Sequence, residues 1–396
     1  MNKKLGLAVA GALVAFSSAA NAGITIPAGD WTLDVSGVVN AYYTSTSAKG
    51  DSVTGGLGGG NATTNNITTG LLPNVLAVSG KTRQNDLDVA FTISINPGAA
   101  QSNGASGGSA SEQRQAFFTI GDASWGSVKF GKDLGIFASD AILNDMTLLG
   151  VGSGAAAVGT TTLGRIGSGY MYADWKSQIA YTSPNWNGFQ FTAGVTQSWN
   201  ALQTGTIASP VSAVSTERGG NQPAYEAKAS YAWAGDVAGK VWASAFSQEV
   251  KNITATAGNE RAYAWDLGAN VNAGGFGLTG YYYDGKGVGT TIMLRDGFDT
   301  NGKRRDSNGG YVQATYTLPS ATKLGVSYGV SKLDGNAVDS TSTLVEKNKM
   351  WTVGAYHPLT KSVNLVAEYS DVKAEAQAAG VDGKSKTVSV GAILFF

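Results

Sequence analysis

Runs of about nine to twelve residues alternate between apolar and small or polar side chains all along this chain. That period of two confines the chain to β-structure. In Lys323–Ser331 one face is Leu324, Val326, Tyr328 and Val330; the other is Lys323, Gly325, Ser327, Gly329 and Ser331. Phe189, Phe191, Ala193 and Val195 alternate with Gln190, Thr192, Gly194 and Thr196. The same pattern recurs in Tyr225–Trp233 and Thr387–Phe396, whereas Lys240–Val250 does not alternate cleanly. Strands of a soluble sandwich are usually shorter; about nine to eleven residues is what a tilted strand needs to cross a bilayer.

No stretch beyond residue 22 approaches the ~20 apolar residues of a membrane helix. Charged residues make up 14% of the chain and aromatics 10%, with 55 Gly and 8 Pro. That balance suits a transmembrane β-barrel, whose strands put apolar residues toward lipid and small or polar ones toward the lumen. The start of the chain agrees. Met1-Asn2-Lys3-Lys4 is basic, Leu5–Phe16 is apolar, and Ala20-Asn21-Ala22 fits a signal-peptidase site. Residues 1–22 are therefore expected to be a signal peptide and 23–396 the barrel. Removing two leader lysines leaves 26 basic against 28 acidic residues, a net charge of −2. A nucleic-acid binder needs a basic surface, so that class is set aside. With no cysteine and one histidine, His357, no enzyme, metal centre or cofactor is expected.

Sixteen strands can be threaded, beginning near residues 31, 73, 86, 114, 127, 175, 188, 223, 240, 261, 276, 309, 323, 347, 362 and 385. Tight turns fall at Ser183–Gly188, Gly235–Gly239, Gly274-Gly275, Pro319–Thr322 and Pro358–Ser362. Longer polar loops alternate with them, near 200–222, 251–260, 285–308, 334–346 and 376–384, and Gly50–Gly70 reads as a long first loop. Such barrels have short periplasmic turns and long outer loops, and an even strand count leaves both termini periplasmic. Tyr42, Tyr43, Trp125, Trp175, Trp186, Trp199, Tyr231, Trp233 and Tyr281–Tyr283 read as interfacial girdles.

Arg114-Gln-Ala-Phe-Phe-Thr-Ile-Gly-Asp-Ala-Ser-Trp-Gly-Ser-Val-Lys-Phe-Gly-Lys132 resembles the Gram-negative general porins. Gly164-Arg165-Ile166-Gly167 is similar to a motif that follows their third loop. Ile179–Phe189 resembles the hairpin of their neisserial and β-proteobacterial members, and Phe396 matches their terminal aromatic, an assembly signal. The resemblance implies an all-β antiparallel barrel of about sixteen strands with an inward-folded third loop, here about residues 131–174. It implies a homotrimer in outer-membrane lipid and lipopolysaccharide that passes ions and small hydrophilic solutes. Its constriction would set loop acids Asp145 and Asp140 against wall bases Arg114 and Arg165, with Lys132 adding to them. Opposed charges across a narrow gap create a transverse field that sorts solutes. The chain departs from enterobacterial relatives at Val38 and Leu149, where they carry a lysine and an acid, and Arg83 falls in a periplasmic turn. Less charge at the constriction is expected.

Two motifs carry little. Gly126–Lys132 matches most of a phosphate-binding loop, but Asp133 replaces the required Ser or Thr and the segment alternates as a strand. Asp296–Gly302 offers oxygen ligands without the spacing of a calcium loop. Two rival readings stand beside the general porin. A sugar- or oxyanion-specific porin would show a run of pore aromatics or a dense arginine ladder, and neither is visible in the sequence. A barrel adhesin or hydrolase is the other; His357 has no evident Ser or Asp partner for hydrolysis.

Overall fold

The computed structural model describes residues 23–99, 111–154, 157–158, 160–199, 222–251 and 258–396. The leader expected at 1–22 lies outside the described residues, as does most of the loop expected at 200–222. Sixteen strands form the wall. They are β1 (Trp31–Gly50), β2 (Val75–Gln84), β3 (Leu87–Pro97), β4 (Ala116–Asp122), β5 (Gly126–Leu134), β6 (Trp175–Thr182), β7 (Phe189–Thr196) and β8 (Ala224–Trp233). They continue with β9 (Val237–Val250), β10 (Glu260–Ala273), β11 (Phe276–Lys286), β12 (Asp306–Thr317), β13 (Lys323–Asp334), β14 (Val345–Pro358), β15 (Val363–Ala376) and β16 (Asp382–Phe395). The described strands begin within three residues of the positions expected from the sequence.

Each strand pairs antiparallel with the next, and β16 returns to β1, from Val38 opposite Phe395 to Gly50 opposite Gly383. The sheet is thus a closed barrel, the arrangement that leaves no backbone edge unpaired in lipid. The chain enters through Ile24–Ala28, which pairs with the first residues of β1, while Ala62–Thr68 of the first loop pairs with its upper half.

Burial inverts the pattern of a soluble protein. Val39, Leu76, Ile93, Ile179, Leu267, Leu278, Val312, Val326, Val353 and Val390 are exposed large apolar side chains, one after another around the wall. The opposite register buries Asn40, Thr44, Ser94, Thr119, Gln178, Thr196, Ser244, Ser327, Thr352 and Ser389. A continuous exposed apolar band of this kind belongs against lipid.

The aromatics divide between the two faces. Tyr43, Trp125, Trp186, Tyr231 and Tyr282 are exposed on the outer face as girdles require. Tyr42, Tyr281 and Tyr283, expected in the same girdles, are buried on the inner face instead. Strand β9 explains its own broken pattern: Trp242 and Phe246 are buried inward while Val241 faces out, so both faces are apolar.

Candidate functional site

The segment between β5 and β6 makes the site. It leaves the wall at Leu134 and runs through a short helix, α1 (Ser139–Leu143), and a single 3-10 turn (Met146–Leu149). Its hydrogen bonds go to inward-register groups on strands far apart around the ring. The Ile136 and Phe137 amides donate to Glu226 of β8 at 2.7 and 2.9 Å, and the Ala138 amide donates to Ser244 of β9. Farther on, the Met146 amide donates to Gln313 of β12 at 2.7 Å, and Gln313 Nε2 donates back to the Asn144 carbonyl. The Val151 and Gly152 amides both donate to Glu368 of β15 at 2.8 Å.

Tyrosines complete this fixing. Tyr311 donates to the Ala141 carbonyl and Tyr42 to the Leu149 carbonyl, while Tyr356 donates to Glu368. Tyr170 packs against the Tyr281 and Tyr311 rings. Backbone amides that would otherwise be orphaned in a loop are thus satisfied by wall side chains. Close approach matters at Gly150: a Cβ there would collide with the Glu368 carboxylate. The inward tyrosines form the aromatic run that the sequence did not reveal, but the loop covers them.

Asp140 is the loop acid that meets wall bases. Its carboxylate lies 2.9 Å from Lys228 Nζ of β8 and also pairs with Lys240 of β9. Burial by itself would raise this carboxyl; the two ammonium groups outweigh that and hold it below the usual carboxylate range. The acid is 3% exposed, whereas the Lys228 and Lys240 side chains keep 23% and 34% of their surface open.

The other expected constriction residues have different partners. Asp145 is buried and caps the 3-10 turn, accepting from the Thr147 amide at 2.9 Å, the Thr147 hydroxyl and Tyr170 at 2.7 Å. Arg165 is fully buried and makes no ion pair with Asp145; its guanidinium donates to the Ser327 and Met350 carbonyls and Thr352 Oγ1. Arg114 pairs with Glu112 at 2.8 Å and reaches Thr161. Asp145 makes no ion pair with Arg114 or Arg165 among the described residues; each is hydrogen-bonded to other partners. Lys132 takes the outward register of Val128 and Phe130, opposite the exposed residues Ala116 and Ser177. One residue of parity puts it on the wrong face. Arg83 lies at the short-turn end, bridging Asp88 and Asp122.

Sequence reasoning passed over Lys228 and Lys240, and over the inward lysines Lys81, Lys129 and Lys323. The signal was available: each takes the inward register of its strand, as Lys228 does opposite Thr192 and Ser244.

A closed sixteen-stranded barrel with an apolar outer face, a polar inner face and a loop bonded to that inner face defines a porin-class membrane protein. The family model described as Gram-negative porin matches residues 8–377, and the chain belongs to that family. It is an outer-membrane channel that crosses the membrane many times and lets small solutes diffuse through. The outer membrane channel DcaP of Acinetobacter baumannii has the same fold, with a TM-score of 0.69 at 16% identity over 93% of this chain and 99% of that one. The anion-selective porin from Comamonas acidovorans is similar at a TM-score of 0.62 and 16% identity, covering 92% of this chain and 100% of that one. Salmonella typhi OmpF in complex with daunomycin follows at 0.61 and 16%, covering 94% and 100%. No curated protein matches the sequence.

Proposed function

We propose that the loop between β5 and β6 constricts the channel and that the water-filled path beside it favours anions. The observation that carries this is how the inward charges are used. Glu226 is taken by buried Lys176 and two loop amides, and Asp266 by the Ser244 amide and Tyr281. Glu368 is taken by two amides and Tyr356, Asp133 by Lys129 and Gln115, and Asp140 by two lysines. These acids are thus already engaged, Glu226 and Glu368 by loop amides and the others by lysines, a strand amide or side chains of the wall. Lys81, Lys228 and Lys240 keep exposed or partly exposed ammonium groups on the same face, with half-buried Asp34 as a counter-charge. In a narrow path with low-dielectric walls such an imbalance raises the local anion concentration.

Planar-bilayer recording across a salt gradient tests this. The wild-type zero-current potential is expected on the anion-preferring side, and Lys81→Glu, which breaks no observed ion pair, is expected to move it toward cations. A cation-preferring wild type, or a Lys81→Glu potential equal to it, would sink the reading. The effect should fade as salt shortens the Debye length.

A non-enzymatic homotrimer in contact with outer-membrane lipid and lipopolysaccharide completes the proposal. Its support is the girdled apolar band of the wall, together with the family; one relative of the same fold, Vibrio cholerae OmpT, is described in a trimer form. Cleavage at 22 is part of the same proposal.

A further inference from the structure

Residues 287–305, which join β11 to β12, do not stand clear of the barrel as the polar outer loop expected near 285–308 would. Val288 and Leu294 are fully buried, and Met293 and Phe298 are nearly so. All four share one apolar cluster with Phe246, Ala262, Ala264 and Tyr283, which take the inward register of β9, β10 and β11. A Cβ at Gly285 would stand 2.7 Å from Val288 and 2.8 Å from Ala264, which sets Val288 against the inner face of the wall. The apolar side of this loop is turned into the lumen, where burial stabilises it.

The same loop stacks on the one that leaves β5. The Tyr172 amide donates to the Thr291 carbonyl at 2.9 Å, and a Cβ at Gly167 would collide with the Thr291 hydroxyl. Gly167 and Tyr172 lie on the returning arm of the β5–β6 loop, whose buried Tyr170 and Met171 belong to the same apolar cluster. The β13–β14 loop holds it as well: Arg305 pairs with Asp339, and Asn336 Nδ2 donates to Asp299 at 2.9 Å.

Internal bonds fix its shape. The Leu294 amide donates to the Val288 carbonyl and the Arg305 amide to the Gly297 carbonyl, each at 2.8 Å. Leu294 sits at a φ of 63°, a left-handed conformation that a leucine keeps only where its surroundings over-determine it. The wall behind shows what the loop does to the lumen. Toward the long loops, inward Ala262, Ala264, Tyr283 and Ser307 are buried. On the same barrel segment toward the short turns, inward Asn270, Asn272, Thr315 and Thr317 stay open.

We propose that the β11–β12 loop is a second constriction, stacked on the first, and that it sets the upper size of the uncharged solutes that pass. It rests on the diffusion-channel reading and names a further segment that decides which solutes cross. A sixteen-stranded wall by itself leaves a wide aqueous lumen. Two inward loops in contact narrow that lumen and lengthen the narrow zone, and pore width governs passage.

Proteoliposome swelling tests this by comparing raffinose, a trisaccharide, with glucose. Both are uncharged, so wall charges do not enter the ratio of their rates. Because the Gly287 amide donates to the Arg305 carbonyl at 2.9 Å, an Asn-Gly turn in place of residues 288–304 bridges the two strands. In that shortened chain the raffinose-to-glucose ratio should rise at least about two-fold. Met293→Gly/Leu294→Gly, which removes two buried anchors and no length of chain, should raise it in the same direction. Val338→Ser, at an exposed position of the β13–β14 loop, should keep the wild-type ratio. Folding is checked by heat-modifiability, and the double variant decides if the shortened chain fails that check. A wild-type ratio in the folded variants overturns the inference, as does an equal rise in Val338→Ser. A wild type that admits neither sugar sinks the channel reading and this inference with it. A wild type that admits glucose, with a ratio the variants leave unmoved, sinks this inference alone.

Discussion

Glu368 holds the far end of the loop as Glu226 holds the near end. One carboxylate receives the Val151 and Gly152 amides and the Tyr356 hydroxyl. Removing it leaves two buried amide donors without partners, at a cost of about 1–3 kcal/mol each. Glu368→Leu should therefore free the far end of the loop while the barrel stays folded. Hydrogen exchange at the Val151 and Gly152 amides should speed up by at least about ten-fold; unchanged protection there would mean that the loop is held by its apolar contacts alone. None of this was legible in the sequence. An isolated glutamate among alternating strand residues is identical on paper whether it faces open water or grips a loop more than two hundred positions away. Asp145 was placed in the loop by resemblance, and its bonds to Thr147 and Tyr170 were not legible either.

At the scale of elements, the loops clip to one another as well as to the wall. Arg305, where the β11–β12 loop ends, pairs with Asp339 of the β13–β14 loop at 2.7 Å and also donates to the Asp296 and Phe298 carbonyls. Burial pushes the Asp339 carboxyl up, but the Arg305 bonds outweigh it and hold it below the usual range. A carboxyl depressed in the folded state contributes stability above its unfolded pKa of about 4 and loses it as pH falls through the folded value. Acidification below about pH 4 should thus loosen this clip. Exchange at the Arg305 amide, which donates to Gly297, should rise in acid beyond its intrinsic rate change, and Asp339→Asn should show that faster exchange already at neutral pH. An acid-independent rate would argue that the backbone bonds suffice. Strand elements, by contrast, were plain in the sequence wherever one face was apolar and the other small or polar. Strand β9 was not, because Trp242 and Phe246 are buried on the inner face, Phe246 against Phe137 of the loop.

For the whole molecule, the last residue extends the seam that closes the barrel. The Phe396 amide and carbonyl exchange hydrogen bonds with Gly37 at 3.1 and 2.7 Å. A Cβ at Gly37 would collide with the Phe396 ring, so glycine there admits the seam. Deleting Phe396 should lower the amount of heat-modifiable barrel in the outer-membrane fraction, read on gels of unheated and heated samples; equal amounts would show that the seam closes without it. The sequence by itself determined the barrel: strand length, parity, turn chemistry and an even strand count are local properties, each written in about ten consecutive residues. Resemblance also pointed to the segment after β5 as a loop carrying acids, Asp145 and Asp140 among them. Only the tertiary structure decided which charges meet. Lys228 and Lys240 reach Asp140 because barrel closure brings β8 and β9 alongside a loop that leaves β5, and Lys132 turns away because a side chain's face is set by strand register. Contacts between distant segments depend on where the chain returns, and period and composition do not encode that.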